Sequence, residues 1–111
     1  MKLNQSTPAL LVKTTYQVNP GDAEAFKNIT QRMAEDARQR EGNAFLLAAQ
    51  DVSNPAIFHL TEGWENQQAI DKHVANEDFQ RVLAEAMQLR IESRSVTVFE
   101  VSRSYDVNLP A

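Results

Sequence analysis

Residues 44–64, AFLLAAQDVSNPAIFHLTEGW, hold two β-forming runs, 44–51 and 56–64, around the turn-forming stretch Val52, Ser53, Asn54 and Pro55. Runs this short with such a break between them predict a β-hairpin in the middle of the chain. Upstream, residues 9–18 (ALLVKTTYQV) are another run of strand length, stopped by Asn19, Pro20, Gly21 and Asp22. Asn19 is placed to cap a helix with Pro20 at its first position, and Asp22 and Glu24 put negative charge where the helix dipole favours it. Phe26, Ile29, Met33 and Ala37 recur at three- and four-residue spacing, which gives a long helix one apolar face, and Gly42 suits the left-handed residue that closes it. Downstream, Asn66 opens a short helix carrying Ala69, Ile70, His73 and Val74 on one side. Asn76 opens another, with Phe79, Val82, Leu83, Ala86 and Met87 as its stripe, and residues 94–102 (RSVTVFEVS) read as the last strand.

The order β-α-β-β-α-β is that of the ferredoxin-like split arrangement, an α+β sandwich in which helices cover one face of an antiparallel sheet. On the first strand Leu10, Val12, Tyr16 and Val18 alternate against Leu11; on the second Phe45 and Leu47 oppose Leu46 and Ala48; on the last Val96 and Val98 oppose Phe99 and Val101. Both faces therefore carry apolar residues, whereas a solvated face alternates to polar more cleanly. The uncovered face is expected to meet a second subunit, making a homodimer.

A chain of 111 residues has room for one core, so the expected organisation is a flexible segment over 1–8, one domain over 9–103 and a tail over 104–111. With 42% hydrophobic and 23% charged residues it falls in the globular range. A net charge of −4, with basic residues spread out rather than clustered, argues against nucleic acid as a partner. The absence of cysteine excludes disulfides, thiolate nucleophiles and Cys-ligated metals. The apolar run after the first eight residues is too short for a signal peptide or a membrane span, so no membrane association and a cytoplasmic location are expected.

Val18-Asn19-Pro20-Gly21 before the first helix, Glu41-Gly42-Asn43 before the second strand, and Glu62-Gly63-Trp64 followed by Ala69 and His73 resemble the antibiotic biosynthesis monooxygenase family, over about residues 9–102. The spacing from the aromatic that ends the third strand, through Ala69, to His73 is the most specific part. The resemblance implies subunits whose sheets pack into a dimeric α+β barrel and, in the quinol monooxygenase-like branch, oxygenation of quinols or polyphenols with neither metal nor flavin. The haem-degrading branch needs an Asn, a Trp and a haem-ligating His where this chain has Thr14, His73 and Leu83, and a leucine cannot ligate iron. A related isomerase carries two histidines five residues apart; here His73 is present and the second place holds Asp78.

His73 is the leading candidate for a catalytic base, because imidazole is the side chain that titrates nearest neutrality. The competing reading is a buried structural histidine, since Ala69 and Ile70 lie one turn before it. Glu62 shares a strand face with Trp64, where a carboxylate beside a pocket serves as base or orients His73. Trp64 offers a flat wall for an aromatic ligand, and Tyr16 and Phe58 are candidate substrate contacts, Tyr16 adding a hydroxyl. Packing is the competing role for all three. His59, next to Phe58 on the strand, falls on the opposite face, and two histidines in unrelated positions do not make a metal site. Nothing matches a phosphate loop, a hydrolase order or a zinc-peptidase helix.

The expected function is therefore cofactor-independent monooxygenation of a small electron-rich aromatic such as a quinol or polyphenol. A non-catalytic ligand-binding dimer and an isomerase of a small carbonyl compound are the alternatives.

Overall fold

The structure is a computed structural model and describes residues 7–110. All but Thr7 and Pro8 of the expected N-terminal segment, and Ala111 of the tail, lie outside the described residues. The strands are β1 (Leu10–Val18), β2 (Asn43–Gln50), β3 (Ile57–Trp64) and β4 (Ile91–Glu100); the helices are α1 (Ala23–Ala37), α2 (Gln67–Ala75) and α3 (Glu77–Ala86). They form the ferredoxin-like α+β fold, with an antiparallel sheet ordered β2-β3-β1-β4. The second expected helical stretch is two helices, each opened by the asparagine singled out for it. Asn66 Oδ1 accepts from the Ala69 amide at 2.8 Å, and Asn76 Oδ1 accepts from the Asp78 and Phe79 amides at 2.8 and 3.2 Å.

Asn19 caps a short 3₁₀ turn, Pro20–Asp22, rather than α1 itself, which begins one residue later. At the other end α1 stops at Ala37, four residues before Glu41, and turns carry the chain to Gly42. Gly42 has φ 85°, and a Cβ there would come within 2.4 Å of the Ala69 Cβ, so both conformation and space require glycine. Its carbonyl accepts from the Glu65 amide at 2.8 Å, which ties the entry of β2 to the entry of α2.

The apolar face of α1 holds Phe26, Ile29, Met33 and Ala37 buried against the sheet, as its periodicity predicts. Phe26 has no exposed surface and sits between Tyr16, at 4.8 Å between ring centroids, and Phe58, at 5.0 Å. Such tilted ring pairs add to what area burial alone contributes. α3 packs beside α1, with Ala86 buried and Val82 and Leu83 against the core; Met87, expected on that stripe, is 44% exposed because the helix ends before it.

β4 departs most from expectation. Val96 and Val98 face the helical layer yet remain 50% exposed, since β4 is the outer strand beyond β1 and the helices do not cover it. On the opposite face of the sheet one end carries the row Phe99, Leu11, Gly63 and Phe45. The Phe45 ring lies so close over Gly63 that a Cβ there would meet it at 2.6 Å. The adjoining rows mix polar and apolar residues, Thr97, Lys13, Thr61 and Leu47, then Ser95, Thr15, His59 and Ala49. No helix among the described residues is long and apolar enough to cross a membrane.

Candidate active site

Strand alternation puts Val12, Thr14 and Tyr16 of β1 and Leu60, Glu62 and Trp64 of β3 on the helix-facing side of the sheet. Above them α2 presents Ile70 and His73, one turn apart on its buried side, and α3 presents Phe79. These groups enclose a mainly apolar cavity of about 130 Å³. Its floor is fully buried, with Trp64, Leu46 and Ala37 each 2% exposed or less. Its mouth opens between Val74 of α2 and the exposed Arg94 and Val96 of β4.

The His73 imidazole packs against two aromatic rings in tilted contacts, Trp64 at 4.8 Å and Phe79 at 4.2 Å between centroids. Its Nδ1 is buried with no hydrogen-bond partner among the described residues. Buried polar atoms are nearly all partnered, and among the described residues Arg40 Nε is the other side-chain atom left without one. Burial, assisted by the nearby Arg40 guanidinium and opposed by Asp36, lowers the imidazole pKa to about 4. Arg40 is itself held behind the site by Asp36 Oδ2 at 2.5 Å and Asn76 Oδ1 at 2.6 Å. The ring is therefore neutral at physiological pH.

Glu62 behaves oppositely. Burial raises its pKa, although the Trp64 indole Nε1 donates to Oε1 at 3.2 Å and partly offsets this by favouring the carboxylate. Burial likewise raises the Tyr16 phenol, against the opposing pull of Arg94, so Tyr16 stays a hydrogen-bond donor. The cavity thus combines a neutral imidazole, a carboxyl of enhanced proton affinity, a phenol and aromatic walls.

Of the residues singled out by sequence, His73, Glu62, Trp64 and Tyr16 share this one cavity. Phe58 does not line it. It lies on the same sheet face but four residues before Glu62 on β3, under α1 against Phe26, where it is core. His59 is on the opposite face, with Nε2 2.9 Å from Asp51 Oδ1 and Nδ1 3.3 Å from the Thr15 hydroxyl. Thr14, Phe79 and Arg94 are among the lining groups that were not sequence candidates for the site. Phe79 is visible in the sequence only as a member of an apolar stripe. Arg94 becomes interpretable once the β1–β4 register sets it opposite Tyr16. Among the described residues no group of three or more His, Asp or Glu side chains is arranged to hold a metal ion.

Residues 9–85 match the sequence pattern of the antibiotic biosynthesis monooxygenase family. The chain belongs to that family. Solved structures of similar fold include a Deinococcus radiodurans protein proposed to be an antibiotic biosynthesis monooxygenase, with a TM-score of 0.82 and 21% identity over 89% of this chain and 98% of that one. PA3566 from Pseudomonas aeruginosa superposes with a TM-score of 0.78 at 22% identity, covering 90% and 99% of the two chains. A point mutant of SnoaB, a cofactor-independent oxygenase from Streptomyces nogalater, gives a TM-score of 0.74 at 13% identity over 86% and 94%. At these identities the likeness is one of fold. No curated protein is significantly similar to the chain.

Proposed function

We propose that this protein is a homodimeric, cofactor-independent monooxygenase of the quinol monooxygenase-like kind, acting on a small electron-rich arene in the cavity beside His73. The observation that carries the reading is the pairing, inside one apolar cavity, of the orphaned His73 imidazole with a carboxyl whose proton affinity burial has raised. Family membership and the oxygenase activity of SnoaB point the same way.

The reaction balances as phenol plus dioxygen giving p-quinone plus water, with the substrate supplying all four electrons. Glu62, as carboxylate, takes the hydroxyl proton. The resulting phenolate passes one electron to dioxygen, and the radical pair combines at the para carbon as a peroxide. The para C–H proton passes to the distal peroxide oxygen as the O–O bond breaks to leave the new carbonyl, and the hydroxide so released takes the proton Glu62 held and leaves as water. Glu62 is the better acceptor because its proton affinity is raised, whereas an imidazole titrating near about 4 is a weak base. Neutral His73 bonds the substrate oxygen instead, its imidazole held by Trp64 and Phe79. Apolar walls keep water from the peroxide.

An oxygen electrode with a panel of phenols and quinols tests the reading. Stoichiometric uptake of one dioxygen per quinone formed is the expected result. No uptake with any member, although ligands bind, would leave a binding protein.

The dimer is proposed to form through the open sheet face, where Phe99, Leu11 and Phe45 make an apolar end. Multi-angle light scattering is expected to give twice the 12.5 kDa chain mass at micromolar concentration. A Leu11→Glu, Phe99→Glu double variant should shift it to monomer; a native monomer at that concentration would refute the dimer.

A further inference from the structure

Among the described residues, the cavity has one cationic side chain on its lining, and that group sits at the mouth. Arg94 extends from the outer strand over the Tyr16 ring, with its guanidinium carbon 5.5 Å from the ring centroid. Among the described residues Arg94 forms no ion pair with a carboxylate. Four other guanidiniums pair with carboxylates, Arg32 with Glu85, Arg40 with Asp36, Arg81 with Asp78 and Arg90 with Asp22, while Arg38 donates to the Leu46 carbonyl and Arg103 lies over the Tyr105 ring, both away from the cavity. At the inner end of the cavity Glu62 is turned toward Trp64, two strands away from Arg94 in the sheet order. One end therefore offers fixed positive charge and the other a proton acceptor, with aromatic walls between them.

The dimensions restrict what fits. An apolar cavity of ~150 Å³ holds one benzene ring. This one, at about 130 Å³ and open at the Arg94 side, takes a single ring whose substituent projects outward. A fused second ring would have to displace the wall made by Trp64, Leu46 and Ala37, all fully packed. An anion approaching a chain of net charge −4 gains little from long-range attraction, so its recognition depends on a local partner. A guanidinium with its fork unpaired by any carboxylate suits a planar carboxylate, which it meets by two parallel hydrogen bonds.

We propose that the cavity selects a monocyclic phenol or quinol bearing a carboxylate, with Arg94 holding the carboxylate at the mouth and the ring hydroxyl directed inward to Glu62. The reaction assigned to such a substrate rests on the oxygenase reading above, whereas its binding does not. With 3-hydroxybenzoate as the example, the acid plus dioxygen gives carboxy-1,4-benzoquinone plus water. The carbon para to the hydroxyl is free to take the new oxygen.

The test is anaerobic isothermal titration calorimetry of the intact protein with 3-hydroxybenzoate and with its neutral isostere 3-hydroxybenzamide. Native protein is expected to bind the acid about tenfold or more tightly than the amide, the usual return of a charge-assisted contact. Arg94→Met should bring the two within about twofold of each other, and Arg94→Lys should retain part of the preference. A bicyclic acid, 1-hydroxy-2-naphthoate, should bind more weakly than the monocyclic one. Equal affinity for acid and amide, a preference that survives in Arg94→Met, tighter binding of the bicyclic acid, or no binding of either benzene derivative at millimolar concentration would each overturn the proposal. Because oxygen is excluded, these outcomes are independent of turnover. Arg94-dependent binding without oxygen uptake by any phenol sinks the oxygenase reading alone, and uptake with neutral quinols only sinks this one alone.

Discussion

Glu62→Gln is expected to lower the rate of quinone formation by about 10² to 10⁴, the usual worth of a positioned general base. Glutamine keeps the shape and still accepts from the Trp64 indole through its amide oxygen, so the fold and the cavity should survive. The pH dependence has a definite sign. The base is the carboxylate form, and burial holds the Glu62 proton to higher pH than an exposed carboxyl. The native rate should rise with pH along a limb displaced upward from the ordinary carboxylate range, and the Gln variant should lack that limb. His73→Gln should reduce the rate less and leave the limb in place, since an imidazole titrating near about 4 is already neutral across it. If instead His73→Gln removes the limb and Glu62→Gln does not, the proton acceptor is the imidazole. Stopped-flow oxidation of one phenol over a pH series decides between them.

The largest expected stability effect is at Phe26→Ala. The ring is wholly buried between Tyr16 and Phe58, and truncating such a side chain costs about 3–5 kcal/mol through lost transfer energy and the cavity left behind. Against a total of about 5–15 kcal/mol for a domain, that is a large fraction. The midpoint of thermal unfolding should fall by more than about 10 °C. Met87→Ala, at the half-exposed end of α3, is the internal comparison and should change it little. A loss below about 1 kcal/mol at Phe26 would mean that the three-ring cluster is not the centre of the core.

Elements whose fate depends on their own residues were readable in the sequence. The spacing of Phe26, Ile29, Met33 and Ala37 located the buried face of α1, and Asn66 and Asn76 marked helix starts because their side chains bond amides two or three residues on. Facts that depend on strand order were not readable. Val96 and Val98 alternate like core residues, yet β4 lies outside the span of the helices and leaves them half exposed. Phe58 and Glu62 share a face by alternation, but which of them lies under α1 and which under α2 depends on where the helices cross the sheet. The same holds for Arg94, an ordinary surface cation until β1 pairing places it at the cavity mouth. The chemistry of His73 was legible as a residue type; its proton affinity was not, because burial and Arg40 set it.

The contact between Trp64 and His73 also gives the protein an optical reporter. Trp64 is the single tryptophan of the chain, so its emission comes from one indole, fully buried in the cavity floor and 4.8 Å from the imidazole. A protonated imidazole quenches an adjacent excited indole, whereas a neutral one does so far less. The fluorescence of the unlabelled protein therefore registers two separate events at this site: the charging of His73 as acidity approaches its pKa, and the arrival of any ring that displaces solvent from beside the indole.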